Sequence, residues 1–398
     1  MSSEKYAAEP GVAEQSPAGR ERRVRTLGGR VFGAVSWAVA AVLVVASVAW
    51  VFSSRSYIAD LAANLSAQFL ALTLVCGAVW AAARRWGLLA VAAMACASHV
   101  AVLSMGRAAY WPREPSASRP MGSSATTADA SGVVRFFHYN ANSKGNGQDI
   151  EQVMTAEGPD VISIVGPPVL EQSRVIYGHH LADRYAGKLT REWQAGLDGV
   201  ATDVTPCFVV SRWPIRKWET SQLGPEGRYV VAGVVDRPGV GGKSGAFGLI
   251  AVHPRSPRTE YRWSRGNVVV EAVVKTALAM RAQGLAVIVL TDLNSTPTGY
   301  RSRRLYWGAD LRRAKPLLDA TGTYFRSIPM GRDANSPRLM RAYWPANVAI
   351  DDAVVSPEVE VVGWKAQEML ASEHRPILVD LRVPFAASNA NPPDSGAP

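Results

Sequence analysis

The chain has 398 residues, 48% of them hydrophobic and 19% charged, with a formal net charge of +10. That length allows one large core plus an accessory region. Three cysteines, Cys76, Cys96 and Cys207, exclude a disulfide framework or a zinc-cysteine site, because two of them fall inside apolar stretches and leave Cys207 alone in the rest. The excess of arginine suits a phosphate-bearing partner or anionic lipid headgroups.

Residues 1–30 are polar, rich in Ala, Glu and Arg, and read as a disordered basic tail. Val31 to Phe52 has no charge and, at about 1.5 Å per residue, is long enough to cross the hydrocarbon layer. Two further apolar stretches, 62–83 and 87–105, flank Arg84-Arg85-Trp86, so that 31–105 is expected to hold three transmembrane helices. Lys5, Arg20, Arg22, Arg23, Arg25 and Arg30 precede the first span, whereas the loop after it offers Arg55 against Asp60. By the bias of basic residues toward the cytoplasm, the amino terminus is expected inside, Arg84 and Arg85 inside, and everything after Met105 extracytoplasmic. The spans hold almost no ionisable group apart from His99, which favours an anchor over a channel or transporter. Residues 106–131 form a Pro/Ser/Thr linker, and the tail 386–398 has similar character.

Between linker and tail, strand-like and helix-like segments alternate. Strands are expected at Val133–Tyr139, Val161–Val165, Cys207–Val210, Tyr229–Val235, Ala246–His253, Ala286–Leu290 and Ile377–Val383. Helices are expected at Gln148–Glu157 and, amphipathic and longer, at Val268–Ala282. The turn-rich segment after Arg237 joins two strands as a hairpin. It contains Gly242-Lys243-Ser244, which imitates a phosphate loop without the glycine five residues earlier and without a following helix. Hairpins mixed with crossover helices predict an α/β fold, a two-sheet α/β sandwich preceded by the three membrane helices.

The Ala286 strand runs into Thr291-Asp292-Leu293-Asn294, where side-chain alternation would send Asp292 and Asn294 to one side. Asp-x-Asn after a strand is also ordinary turn chemistry. Ser372-Glu373-His374-Arg375-Pro376 brings a carboxylate and an imidazole to the start of another strand, a combination able to hold a divalent metal and handle a proton. His179-His180 reads as exposed loop histidines, since adjacent residues on a strand face opposite ways.

Several segments, in order, resemble the endonuclease/exonuclease/phosphatase superfamily, which includes pancreatic deoxyribonuclease, abasic-site endonucleases, neutral sphingomyelinases and inositol phosphate 5-phosphatases. They are Tyr139-Asn140, Gly158-Pro159-Asp160-Val161-Ile162, Ser211-Arg212-Trp213-Pro214-Ile215, Val252-His253-Pro254, Thr291-Asp292-Leu293-Asn294, Ile350-Asp351-Asp352 and Ser372-Glu373-His374. The resemblance implies a deoxyribonuclease-like domain over 132–385 that hydrolyses phosphoesters with Mg²⁺ or Mn²⁺. His374 would be the base or the phosphate-stabilising imidazole, and Asp351 would fix its tautomer. Asp292 would orient or deprotonate water, Asn294 and His253 would hold phosphate oxygens, and Asn140, Glu373 and Asp292 would serve the metal. Nucleic acid, a lipid headgroup or a sugar phosphate are the partners it implies, beside the bilayer; oligomeric state is not legible.

The chain departs from the family pattern at informative places. Gly166 stands where the principal metal-binding glutamate is expected, Glu373 replaces an aspartate, Asp352 a histidine and Thr291 a glycine. Mg²⁺ depends on hard oxygen ligands, so Gly166 opens an alternative: a pseudoenzyme that binds a phosphorylated ligand or partner without cutting it. Glu171 is the nearest substitute carboxylate in sequence.

Overall fold

The computed structural model describes residues 17–105, 132–141, 156–165, 207–218, 230–237, 245–316, 319, 321–325, 328–329, 338–339, 347–370 and 372–384. The linker, most of the helix expected at Gln148–Glu157, Gly166, Glu171, His179-His180, Gly242-Lys243-Ser244 and the tail 386–398 lie outside the described residues.

The first helix, α1 (Pro17–Phe52), begins well before the first apolar residue of the expected span. Residues 17–30, expected to be unstructured, continue it instead. Proline suits a first helical position, and the Ala and Arg that follow are good helix formers. The second span is broken. α2 (Tyr57–Asn64) and α3 (Ser66–Ala82) meet at 66°. Asn64 Nδ2 donates to the Asp60 carbonyl and Ser66 Oγ to the Ala63 carbonyl, 2.8 Å each, so side chains take over carbonyls that a continuous helix would use. α4 (Trp86–Ser104) completes the set. Among the described residues, two helices are long and apolar enough to cross a membrane, three if the bent pair counts as one span. Val35, Trp37, Val45, Leu74, Val75 and Met94 stand exposed on them, as lipid-facing side chains would.

The helices pair in a definite sense. Phe69 stacks on His99, and Gly77 lies against Ala92, so α3 and α4 are antiparallel. Ser98 bridges Ser47 and Trp50, so the ends of α1 and α4 lie together. Phe52, α2 and the start of α3 therefore share one end of the bundle with Ser104, and Arg84-Arg85 marks the other.

The rest is two sheets face to face. One has the order β14-β15-β1-β2-β3, with β1 Val133–Asn140, β2 Val161–Val165, β3 Cys207–Ser211, β14 Glu360–Ala366 and β15 Ile377–Arg382. The other runs β4-β5-β6-β7-β13-β8, with β4 Ile215–Lys217, β5 Val230–Arg237, β6 Gly245–Val252, β7 Ala286–Asp292, β8 Arg312–Arg313 and β13 Asp351–Val355. Two short pairs lie outside these sheets. β9 (Tyr324–Phe325) joins β12 (Asn347–Val348), and β10 (Ile328–Pro329) joins β11 (Arg338–Leu339).

β5 and β6 form the expected antiparallel hairpin. β6 and β7 are parallel and are joined by α5 (Glu260–Ala282), which is longer than its apolar stripe because Thr259 caps it by accepting from the Arg262 N–H. α6 (Tyr300–Gly308) packs beside α5.

Alternation sorts the side chains. Val134 and Phe136, Phe247, Leu249 and Ala251, Ala286, Ile288 and Leu290, Ala353 and Val355, and Ile377, Val379 and Leu381 fill the layer between the sheets. Their neighbours Ile250, Val287, Val289 and Val354 face outward under α5 and α6. The α/β sandwich expected from the sequence is the architecture observed.

Candidate active site

The inward series of each central strand ends in a polar residue at one rim. After Val134 and Phe136, β1 presents His138 and Asn140; after Leu249 and Ala251 comes His253; after Ile288 and Leu290 comes Asp292. β13 runs antiparallel to β7 with Asp351 opposite Asp292, so its first inward residue arrives at the same rim. β6 pairs Val252 with Thr291, which sets His253 beside Asp292. In the facing sheet Ile377 pairs with His138, which carries His374, just upstream, to the end of β1.

The resulting cluster is buried and closely bonded. Asn140 Nδ2 donates to Asp292 Oδ2 at 2.7 Å and lies 3.4 Å from His374 Nε2. His374 Nδ1 is 2.9 Å from Asp351 Oδ2 and 3.7 Å from Asp292 Oδ2, and His253 Nε2 is 3.4 Å from Asp292 Oδ2. Facing a carboxylate, Nδ1 of His374 carries a proton. Ser372 Oγ accepts the His374 N–H, Tyr139 Oη accepts the Ser372 N–H, and the Tyr324 ring lies 4.8 Å from the imidazole. Thr323 Oγ1 accepts the backbone N–H groups of Ile350 and Asp351.

Burial and charge act in opposite directions here. Burial opposes a charged His374, but the Asp351 and Asp292 carboxylates outweigh it and push the imidazole up to about 9. Burial likewise opposes ionised Asp292, yet His374, His253 and the Asn294 N–H hold its carboxyl well below the usual range. For Asp351 burial prevails over His374 and, with Asp292 nearby, raises it to about 6. His138 lies one inward step below Asn140, with Nδ1 3.1 Å from Ser163 Oγ, and burial lowers it to about 3, so it is neutral.

Two expected placements change. β7 stops at Asp292, and Asn294 sits in the left-handed region at φ 50°, so strand alternation does not relate the pair. Asp292 Oδ1 instead accepts the Asn294 N–H at 2.8 Å, an Asx turn, while Asn294 Nδ2 donates to the Pro254 carbonyl at 3.2 Å. The turn reading and the site reading of this segment thus describe one geometry. Glu373 is half-buried and outside the carboxylate–imidazole cluster, although Asn140 and Asp292 are within it.

Asp292 and Asp351 each offer a carboxylate oxygen, and a ring nitrogen of His374 lies within 4.8 Å of both. Two carboxylates supply the hard oxygens that Mg²⁺ and Mn²⁺ take, so this donor set fits a divalent cation. Asp352, next in sequence, faces the outer layer, where it is ion-paired with Arg313 at 2.9 Å and accepts the Lys315 N–H.

His138, Thr323 and Tyr324 were not visible as site residues in the sequence. His138 could have been found from its place in the inward series of β1; the other two meet His374 only through long-range packing.

No family model matches the chain, and no curated protein matches it. Solved structures similar to it include endonuclease/exonuclease/phosphatase proteins. The human Nocturnin catalytic domain with bound sulfate is 14% identical, over 63% of this chain and 93% of that one, with a TM-score of 0.43. A protein of that family from Beutenbergia cavernae is 18% identical over 64% and 72%, with a TM-score of 0.40. Sphingomyelinase C from Streptomyces griseocarneus is 15% identical over 62% and 99%, with a TM-score of 0.42. These are coarse likenesses; what fixes the architecture is the sheet order and register given above.

Proposed function

We propose that the chain is a membrane-anchored, divalent-cation-dependent phosphoester hydrolase acting at the rim formed by Asn140, His253, Asp292, Asn294, Asp351 and His374. The observation that carries this reading is the buried Asp292–His374–Asp351 group, with Asn140 and His253 turned onto Asp292. In-line attack by water on a phosphoester needs positive charge beside the phosphate, a held water and donors for the developing negative charge. Asp351 fixes the His374 ring through Nδ1 and helps keep it protonated, so Nε2 carries a proton that it can donate to a phosphoryl oxygen. That charge state favours the stabilising role of His374 over that of a base. Asp292, ionised and flanked by N–H donors, orients the attacking water, and Asn140 holds Asp292 in place. Bound by Asp292 and Asp351, Mg²⁺ or Mn²⁺ would supply charge to the phosphate and acidify a water molecule.

The domain sits at the end of the helix bundle away from Arg84-Arg85, which supports an extracytoplasmic domain with the arginine-rich amino terminus inside. The substrate is a phosphate-bearing molecule: nucleic acid, lipid headgroup or sugar phosphate. The test is hydrolysis of DNA, sphingomyelin, phosphoinositides and a generic bis-phosphodiester by the purified full-length protein with Mg²⁺ or Mn²⁺. Metal-dependent turnover of one class supports the proposal. Absence of turnover on all of them with either metal removes it.

Gly166 motivates the second reading, a binding module that has kept the cleft and lost the cutting. Calorimetric titration with Mn²⁺ separates the two, since such a module needs no tight divalent site. Gain of turnover in Gly166→Glu would mark a lapsed enzyme.

A further inference from the structure

The loop that follows Asp292 is held by the membrane segment rather than by its own domain alone. Asn64 of α2 accepts the Thr296 N–H on Oδ1 at 2.6 Å and the Ser295 hydroxyl at 3.2 Å, and its backbone carbonyl accepts the Thr296 hydroxyl at 2.9 Å. Thr298 Oγ1 donates to the Ala63 carbonyl at 2.6 Å. Gly299 packs so tightly here that a Cβ would collide with Ser295 Oγ and Asn64 Oδ1. α6 has no side-chain cap of its own at Gly299. Asp60 supplies one from α2, accepting the Tyr300 N–H on Oδ1 at 2.7 Å and the Trp263 indole N–H on Oδ2 at 2.8 Å. Arg303 completes the joint by donating to the Trp50 carbonyl at 2.8 Å and to Ser53 Oγ.

The same short helix reaches into the site. Arg301, fully buried, donates through Nη1 to the carbonyls of Leu293 at 3.0 Å and Arg255 at 2.9 Å. Leu293 lies between Asp292 and Asn294, and Arg255 lies two residues beyond His253, so one guanidinium ties both site-bearing loops. Asp60 and Asp292 are the carboxylates whose charge it feels. A continuous chain of bonded groups therefore runs from α2 through Tyr300 and Arg301 to the backbone that aims Asp292, Asn294 and His253.

We propose that Asp60 and Asn64 are positioning residues for the rim site, so that docking of α2 at the membrane end of the domain sets the geometry of the Asp292–Asn294 turn. This rests on the hydrolase reading for its catalytic consequence. The structural half stands without it, because the joint is made whether or not the rim cuts anything. Physically, the Asx turn depends for its placement on the groups bonded around it, and misplacement of a site group by about 1 Å can cost on the order of 100-fold in rate.

The test uses the full-length protein in lipid nanodiscs and its Asn64→Ala, Asp60→Asn and Thr298→Val variants. The first readout is backbone amide hydrogen exchange. Loss of a purely local contact would speed exchange at Thr296 or Tyr300 and leave Asn294, whose N–H bonds Asp292 and whose side-chain amide bonds Pro254, unchanged. Positioning predicts at least tenfold faster exchange at Asn294 in all three variants. Thr298→Val opens the joint from the domain side with α2 intact, so agreement among the variants is not explained by a misfolded helix. The second readout is turnover, with kcat expected to fall about tenfold and KM to change less than threefold. If the unaltered protein hydrolyses nothing, the function reading fails and amide exchange at Asn294 alone decides. Exchange at Asn294 within twofold of the unaltered protein in Asn64→Ala and Thr298→Val overturns the proposal.

Discussion

Two buried polar clusters lie on either side of residues 292–300, and they are built differently. At the joint with the amino-terminal helices, Asp60, Asn64, Thr296, Thr298 and Arg303 are satisfied largely by backbone groups. At the rim, side chains face side chains. Asp292 is held low, Asp351 raised to about 6 and His374 to about 9, while among the described residues His253 Nδ1 and His138 Nε2 have no hydrogen-bond partner. A saturated cluster holds structure. One with opposed charges and orphaned nitrogens is poised to receive a ligand, because buried polar groups are otherwise paired.

That contrast can be broken most sharply at the rim. His374→Ala is expected to lower turnover by about 100-fold or more, the range typical of a lost donor to developing negative charge, with the circular dichroism spectrum unchanged. A smaller loss would move the chemistry elsewhere.

The neighbouring carboxylates Asp351 and Asp352 should then separate cleanly. Asp352→Asn leaves Arg313 buried without its charge partner, and removing one member of such a pair costs roughly 3–5 kcal/mol. Chemical denaturation should show that loss, while kcat/KM per folded molecule stays within about twofold. Equal damage to catalysis would contradict the division between inner and outer faces.

Next comes pH. His374 is raised above its ordinary value, so its charged form is favoured in the folded protein. The stability this contributes is fully present below about pH 6.5 and is lost as pH rises through about 9. The same deprotonation removes its donor, so turnover should fall along an alkaline limb, which a cation bound by Asp292 and Asp351 would place below that value. Asp351→Asn should shift that limb downward by about one unit or more. A limb that does not move would show that Asp351 does not control the ring.

The smallest effect is expected at Glu373, which lies outside the cluster. Glu373→Gln should change turnover by less than about threefold, the scale of a surface charge effect. A loss comparable to that of His374→Ala would restore Glu373 to the metal site expected from its motif.

Much of this was legible in the sequence because period-2 strands carry their own instructions. The series ending in Asp292 and in Asp351 need only alternation and a parallel or antiparallel neighbour to converge, and the Ser-Glu-His segment announces its imidazole. Asn294 is harder, since strand alternation does not show where an Asx turn ends it. Asp60 read as a loop charge and 62–83 as an unbroken span, because no local pattern records that Asn64 and Asp60 are matched to Thr296 and Tyr300 far along the chain. Tyr324 and Thr323 escaped for the same reason: their only signal is packing against His374 and Asp351.

The central claim is that Asp292 and its neighbours form a cation-assisted phosphoester site, and it is tested most directly by the initial rate of bis-phosphodiester hydrolysis across a Mn²⁺ titration, comparing the full-length protein with Asp292→Asn. A rate that saturates with Mn²⁺ in the first and lies about 100-fold or more lower in the second is the predicted result. Equal rates in the two proteins, or a rate indifferent to Mn²⁺, would contradict it.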